Sequence, residues 1–274
     1  MNLNFGISTM VYYHEHIEKI LPYLADWQIK NIEIRPHIGH FEFQDSNSID
    51  HIKKKIDHSG ILVKAIHMPM NGVDISHPEE YDRVKSIREV EKAVLVAHRL
   101  GAGLVVVHPG GMCNNFSDRG KRLSHSINSL REIVEFSQQW NVKLAIENTP
   151  PGRLGDQWEE IHKIITEIIS EYIGICFDTG HYILNKKNIG KVKLNLEKEP
   201  INWQKNLFHI HIHDNDRKQD LHLLPGEGRF LWSSLISFLQ EIKYNGYLIL
   251  EPKDQIDITS YLNKINKVFD SLRC

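Results

Sequence analysis

The chain has 274 residues, of which 41% are hydrophobic and 25% charged, a composition typical of soluble globular proteins. Its net charge of −2 does not indicate a nucleic-acid or anionic-membrane partner, although such a total is compatible with a local basic patch. The sequence has no apolar run of the roughly 20 residues that a membrane span needs, no signal peptide in its opening residues, and three cysteines without Cys-x-x-Cys spacing. We therefore expect a cytoplasmic protein with free thiols and no membrane partner.

Short apolar segments alternate with longer amphipathic segments along the chain. Strands are predicted at 4–8, 31–35, 61–67, 103–108, 142–147, 173–178, 207–213 and 246–251. Helices are predicted at 14–28, 46–59, 79–100, 117–140, 157–170, 188–204, 230–242 and 255–272. Strict alternation of eight strands with helices predicts an α/β fold, the closed parallel (β/α)8 TIM barrel. Because no Pro/Ser-rich linker interrupts the series, we expect a single domain over residues 1–274.

Six consecutive predicted strands, the third to the eighth, end on residues that can bind a metal ion. The segments are Ala65-Ile-His67, Val-Val-Val-His108, Leu-Ala-Ile-Glu147, Ile-Cys-Phe-Asp178, the His-x-His-x-His-Asp stretch at 209–214, and Tyr-Leu-Ile-Leu-Glu251. In such barrels the carboxyl ends of the strands form the active-site face. The longest predicted loops, at 67–78, 109–116, 179–187 and 214–229, emerge on the same face. A shared polar site is therefore predicted there.

The alternation of side chains along a strand predicts which of these residues face the barrel axis. On the seventh strand the apolar residues Phe208, Ile210 and Ile212 are expected to face the helices and the histidines to face the axis. The same alternation directs the other strand-end residues inward: His67, His108, Glu147, Asp178 and Glu251. We expect His209, which lies deeper than His211, to be a hydrogen-bonded interior residue, and Cys176 to be core packing.

Three of the converging side chains, Glu147, Asp178 and Glu251, are carboxylates. Without positive charge among them they would repel one another and lose hydration energy. A divalent metal ion supplies that charge, and imidazole with carboxylate is a ligand mix that suits Zn²⁺ or Mn²⁺. A salt-bridge network is the alternative, but only Arg35 and Arg217 are evident nearby cations. The sequence therefore favours a metal site.

These motifs resemble the xylose-isomerase-like barrel superfamily, which contains sugar isomerases and epimerases together with the endonuclease IV-type apurinic endonucleases (AP endonuclease family 2). The resemblance extends from Phe5-Gly-Ile-Ser to Leu-Glu251-Pro. Its most specific pieces are His108-Pro-Gly, Ile-Glu147-Asn-Thr, Asp178-Thr-Gly-His181, His211-Ile-His-Asp214, and Asp220-Leu-His222 followed by Pro-Gly226-Glu227-Gly228. Taken jointly these pieces are a specific signal, whereas Gly-Glu-Gly alone would be a weak one.

The resemblance implies two metal-site templates. In the endonuclease branch, three zinc ions are held by nine side chains, and the matching positions here are His67, His108, Glu147, Asp178, His181, His211, Asp220, His222 and Glu251. The ketose-epimerase branch holds one ion through the four matching positions Glu147, Asp178, His211 and Glu251. Its substrate-contacting His and Arg correspond to His181 and Arg217. The expected cofactor is therefore Zn²⁺ or Mn²⁺, with one to three ions per chain.

Two enzymatic reactions and one non-enzymatic role fit this residue set. The first is isomerisation or epimerisation of a sugar or sugar phosphate through a metal-stabilised enediolate, for which the resemblance implies Glu147 and Glu251 as base and acid. The alternative is an endonuclease IV-like multinuclear zinc phosphodiesterase, which the complete nine-residue set favours. A catalytically idle barrel that binds sugar or metal is least favoured, because the ligand set is intact.

The segment after the second strand favours the first reaction. It reads Arg35-Pro-His-Ile-Gly-His-Phe and has a single Arg. We find no loop rich in Arg, Lys and aromatic residues of the kind that binds a nucleic-acid backbone. Arg35 and Arg217 are instead expected to orient a small anionic or polyhydroxyl substrate. A carbohydrate is thus the expected partner, and nucleic acid is the less favoured one.

Overall fold

The computed structural model describes residues 3–42, 46–186, 190–196 and 201–273. Eight parallel strands form a closed barrel in sequence order, with β1 paired to β8. The strands are β1 (Asn4–Ser8), β2 (Asn31–Ile34), β3 (Leu62–His67), β4 (Leu104–Val107), β5 (Lys143–Glu147), β6 (Ile173–Asp178), β7 (Leu207–Ile212) and β8 (Tyr247–Leu250). The TIM barrel prediction is confirmed, and every predicted strand agrees with the observed one to within one residue at each end.

The α-helices lie between the strands. They are α1 (Ile20–Asp26), α2 (Ser46–Ser59), α3 (Glu80–Leu100), α4 (Phe116–Gln139), α5 (Trp158–Glu167), α6 (Thr179–Leu184), α7 (Trp203–Asn206), α8 (Trp232–Glu241) and α9 (Ile258–Arg273). Two 3₁₀ turns, Thr9–Tyr12 and Ile17–Lys19, precede α1, so the α-helix begins later than the predicted range 14–28. Across the described ranges, no helix combines the length and the apolar character needed to cross a bilayer.

The connection between β6 and β7 differs most from the sequence prediction. Part of the predicted helix at 188–204, residues 188–189 and 197–200, lies outside the described residues. The described residues 190–196 are not helical, and Val192 instead forms a parallel bridge with Phe230. The reason is the alternation of Lys191-Val-Lys-Leu-Asn-Leu196, in which Val192, Leu194 and Leu196 are buried; a period of two is that of an extended chain. The helix prediction is wrong for this stretch.

The barrel interior is filled by a small apolar cluster of Ala65, Leu104, Val106, Ala145 and Cys176. This confirms Cys176 as core packing. Phe208 packs against the same cluster, so the prediction that it faces the helices is wrong. A register shift between Ile175 and Cys176 places Leu207 and His209 opposite consecutive residues of β6, which leaves Phe208 as the extra residue. Beyond the shift the predicted alternation holds, because Ile210 and Ile212 belong to the core on the helix side.

Candidate metal centre

The predicted ligands lie together at the carboxyl ends of six neighbouring strands. His67, Glu147 and Asp178 are the last residues of their strands, and His211 lies near the end of β7. His108 and Glu251 directly follow β4 and β8. The other three lie outside the strands, His181 in α6 and Asp220 and His222 in the loop after β7. Except for Asp220, which is partly exposed, these side chains are buried or nearly so. The nine residues therefore form one polar cluster at the face that the sequence predicted.

Glu147, Asp178, His211 and Glu251 form the central group of this cluster. One ligand atom from each lies within 4.8 Å of the others. His211 Nδ1 lies 3.3 Å from Glu147 Oε1, 3.8 Å from Asp178 Oδ2 and 3.9 Å from Glu251 Oε2. Two atoms that each bind one ion at roughly 2.0–2.2 Å are themselves about 3–3.5 Å apart. The residues therefore fit a divalent ion in both ligand type and spacing.

Two further groups flank the central one. Glu147 Oε2 lies 3.3 Å from His67 Nε2 and 2.9 Å from His108 Nε2. Because its other oxygen faces His211, Glu147 belongs to both groups. On the other side Asp220 Oδ2 lies 3.5 Å from His181 Nε2 and 3.3 Å from His222 Nε2. The nine residues thus divide into three groups, each with donor atoms suited to zinc.

In three of these histidines, Nδ1 lies at hydrogen-bonding distance from a backbone carbonyl oxygen. The distances are 2.8 Å from His67 to Met68, 2.9 Å from His181 to Asn148 and 2.7 Å from His222 to Glu251. A ring that donates through Nδ1 presents the lone pair of Nε2 to the cluster. The backbone carbonyl oxygens thereby orient these three rings with Nε2 toward the cluster.

A short segment of chain holds Asp178 and His181 in position. The Asp178 carboxylate caps α6 by accepting the backbone N–H of His181 at 2.7 Å, which explains why a helix forms over Thr179–Leu184 within the predicted loop at 179–187. Residue 187 of that loop lies outside the described residues. The side-chain amide of Asn148 exchanges two hydrogen bonds with the Asp178 backbone, at 2.7 and 3.0 Å. Gly180 has no room for a side chain, because an added Cβ would lie 1.9 Å from the His213 ring.

The loop after β7 is organised by Asp214, a buried residue. Its carboxylate accepts four hydrogen bonds, from the backbone N–H groups of Asn215, Gly226 and Phe230 and from Trp232 Nε1, at 2.9–3.2 Å. Asn215 in turn donates to Asp220 Oδ1 at 3.1 Å and accepts the N–H of His222 at 3.2 Å. These bonds hold Asp220 and His222 over the barrel.

The two arginines differ in position. Arg35, at the end of β2, forms an ion pair with Glu251 and thus lies in the cluster. Arg217 has a positive φ of 77° and donates to the backbone carbonyl of Lys186. Among the described residues we find no contact between Arg217 and a candidate ligand. The substrate roles of both arginines remain predictions.

The cluster also contains Glu33, which the sequence analysis missed, and His213, which it expected on the barrel axis without assigning a role. Glu33, in β2, is fully buried, and its Oε2 lies 2.8 Å from His209 Nε2. This contact confirms His209 as a hydrogen-bonded interior residue. His213 Nε2 lies 3.0 Å from Asp178 Oδ2, and its ring stacks on His222 with centroids 3.9 Å apart. The available signal for Glu33 was a charged residue between Ile32 and Ile34 within a strand.

The electrostatic environment of the cluster favours positive charge among its carboxylates. Burial alone would lower the pKa values of His181, His211 and His222, but their acidic neighbours raise all three above the ordinary value. Burial alone would raise the pKa of Glu251, but Arg35, His211 and His222 lower that pKa to about 2. Burial likewise opposes ionisation of Glu147, but His108 and His211 hold its pKa well below the usual range. The pKa of His108 is lowered to about 4, chiefly by burial. Near neutral pH Glu147 and Glu251 are therefore anionic, and the His108 ring is neutral.

Two cavities differ in their position relative to the cluster. The larger, about 820 Å³, lies at the opposite end of the barrel beside Asn4, Asn31 and Arg273, away from every candidate ligand. The second, about 640 Å³, lies beside Arg35 and is lined largely by apolar side chains that include Tyr13, Ile38 and Met70. Since Arg35 contacts Glu251, this second cavity adjoins the cluster.

The chain is similar in sequence to uncharacterized proteins, to sugar epimerases and to probable endonucleases. An uncharacterized protein of Methanocaldococcus jannaschii is 27% identical, covering 97% of this chain and 92% of its own. A D-psicose 3-epimerase of Enterocloster bolteae is 27% identical, covering 57% and 48%. A probable endonuclease 4 of Campylobacter concisus is 26% identical, covering 67% and 68%.

Solved structures share the fold over nearly the whole chain. A D-tagatose 3-epimerase-like protein has a TM-score of 0.83 at 26% identity, covering 99% of this chain and 98% of its own. The IOLI protein with a binding zinc atom has a TM-score of 0.83 at 17% identity, covering 98% of both chains. The xylose isomerase-like TIM barrel family matches residues 21–271. The chain therefore belongs to the xylose isomerase-like TIM barrel family.

Proposed function

We propose that the protein is a divalent-metal-dependent isomerase or epimerase of a sugar or sugar phosphate. The observation that carries this proposal is the central group, in which Glu147 and Glu251 come from β5 and β8 and converge with Asp178 and His211. The similarity to a D-psicose 3-epimerase and to a D-tagatose 3-epimerase-like structure supports the same reaction class. Zn²⁺ or Mn²⁺ is the proposed ion, held by the four residues of the central group.

The two glutamates would perform the proton transfer. When bound, a divalent ion lowers the cost of negative charge on the oxygens of the substrate. One carboxylate removes the proton from the carbon beside the carbonyl, and the other relays a proton from solvent or from a substrate hydroxyl to the opposite face of that carbon. Arg35 holds Glu251 by an ion pair and supplies donors for a hydroxyl or phosphate oxygen of the substrate. The cavity beside Arg35 would hold the rest of the substrate.

Solvent exchange tests this proposal directly. A reaction through an enediolate transfers a carbon-bound proton, so metal-loaded protein in D₂O should incorporate deuterium into at least one member of a panel of ketoses and ketose phosphates. Protein stripped by chelator and the Glu147→Gln variant should show no exchange above background. Failure of the loaded protein to exchange any member of the panel would contradict the proposal.

A second function, an endonuclease IV-like multinuclear zinc phosphodiesterase, is favoured by one specific observation. His67, His108, Asp220 and His222 are arranged as the flanking groups that three ions require, which a mononuclear epimerase does not need. Two measurements separate the functions: the number of ions per chain and the nicking of duplex DNA that contains an abasic site. Two or three ions with metal-dependent nicking and no sugar exchange would establish the phosphodiesterase, whereas one ion with exchange would establish the epimerase.

A further inference from the structure

Glu33 lies in the interior of the barrel on the amino-terminal side of the central group. It is fully buried, between Ile32 and Ile34 of β2. Its Oε2 lies 2.8 Å from His209 Nε2 and 3.1 Å from His211 Nε2. Since β2 and β7 are not neighbours in the barrel, these contacts cross the interior. A buried carboxylate that contacts two imidazoles across the core is not explained by packing.

The two ring nitrogens of His211 contact different partners. Nε2 faces Glu33, while Nδ1 faces the three carboxylates of the central group, with Glu147 Oε1 nearest at 3.3 Å. A neutral imidazole carries one proton, and its position decides which nitrogen can bind a cation. With the proton on Nε2, His211 donates to Glu33 and presents the lone pair of Nδ1. With the proton on Nδ1, the ring would donate to Glu147 and could not bind through that nitrogen.

We propose that Glu33 is a positioning residue that fixes the tautomer and ring orientation of His211, so that Nδ1 binds the cation of the central group. His67, His181 and His222 each have a backbone carbonyl oxygen at the nitrogen that faces away from the cluster. In His211 it is Nδ1 that faces the cluster. Its Nε2 contacts the Glu33 carboxylate, whereas the corresponding nitrogen of the other three rings contacts a carbonyl oxygen. His209 contributes a second hydrogen bond to the same oxygen and thereby holds Glu33 in place. The inference rests on the proposed metal dependence.

Zinc affinity tests the inference without an activity assay. Full-length protein is stripped of metal and titrated with zinc against a chromophoric chelator. Loss of a carboxylate that orients a histidine ligand typically weakens metal binding about 10- to 100-fold, and we expect this for Glu33→Gln. The matched control is Glu91→Gln, which removes a buried glutamate of α3 that pairs with Arg88, and its affinity should equal that of the wild type. Equal affinities in Glu33→Gln and the wild type would overturn the inference.

A second measurement does not depend on the folding of any variant. Long-range ¹H–¹⁵N spectra of zinc-loaded wild-type protein, labelled at histidine, report which nitrogen of His211 carries the proton. We expect the proton on Nε2 and the ion on Nδ1, and the reverse assignment would overturn the inference. Wild-type protein that binds neither zinc nor manganese would overturn both the inference and the proposed function, whereas zinc binding that is unaffected by Glu33→Gln overturns the inference alone.

Discussion

Glu147 is the residue on which the cluster depends most. One of its oxygens lies 3.3 Å from His211 Nδ1, and the other contacts His67 and His108. It therefore joins the central group to one flanking group, whatever number of ions is bound. Glu251 has a different neighbourhood, since Arg35 occupies one of its oxygens and lowers its pKa. The two glutamates are chemically distinct, which suits a pair that exchanges the roles of acid and base.

Replacing either glutamate by glutamine should abolish most of the turnover. The change preserves size but removes the proton acceptor, and loss of a general acid or base costs about 10²- to 10⁴-fold in rate. We expect kcat for sugar exchange to fall by at least that factor in Glu147→Gln and in Glu251→Gln. The control Glu132→Gln alters a surface glutamate that pairs with Arg88, and it should keep the wild-type rate. A rate close to that of the wild type in either site variant would contradict the assignment.

At the scale of single elements, the loop after β7 depends on Asp214. The loop has little regular secondary structure, and the four hydrogen bonds that this carboxylate accepts hold it in place instead. His222 is held with a positive φ of 49°, a backbone conformation that needs support from its surroundings. The group of His181, Asp220 and His222 is therefore supported by a residue that is not itself one of the proposed ligands.

Asp214→Ala should release this loop. Removing the carboxylate leaves buried donors unpaired, at a cost of about 1–3 kcal/mol for each group that water cannot reach. We expect a lower free energy of unfolding in denaturant titrations, together with loss of any ion held by Asp220 and His222 in elemental analysis. The control Asp216→Ala removes an exposed carboxylate of the same loop, which bonds only the N–H groups of Lys218 and Gln219, and should change neither quantity appreciably. Equal behaviour of the two variants would contradict the role given to Asp214.

The elements that the sequence predicted correctly are those with a strong local pattern. All eight strands follow from apolar runs that end on polar residues. The strand-end rule brought the candidate ligands together correctly, because the strands of a barrel all end at one face. The errors have local physical causes. The Asp178 carboxylate caps α6, so a helix forms where a loop was predicted. Apolar and polar residues alternate at 191–196, so that segment is extended instead of helical. The register shift between β6 and β7 turns Phe208 toward the barrel interior.

The partners of Glu33 and His213 could not be predicted by the same reasoning. Each acts through a contact with a residue far away in the sequence, His209 and His211 for one and Asp178 for the other. A strand pattern predicts that a side chain faces inward but not which inward side chain it meets across the barrel. Arg217 is a different case. Its position in a motif did not predict that its guanidinium donates a hydrogen bond to the backbone carbonyl oxygen of Lys186.

At the scale of the whole molecule, the proposed ligands connect six strands, from β3 to β8. An ion bound by native residues stabilises the folded state, by about 2.7 kcal/mol at a free concentration 100 times the Kd. For a chain of this size that corresponds to about 5–10 °C in Tm. We expect zinc to raise Tm by this amount in chelator-stripped wild type and by much less in His211→Asn. The exposed-site variant His51→Asn should respond as the wild type does, and a Tm that is unaffected by zinc or chelator would contradict a bound metal.

The pairing of β1 with β8 has a consequence for biosynthesis. Glu251 follows the last strand, so a ribosome must add residue 251 before the central group has all four of its members. Residues 67, 108 and 147 are translated much earlier, but the barrel that positions them closes only when β8 pairs with β1. An ion held by all four of the proposed ligands would therefore be bound only after the last strand has been translated.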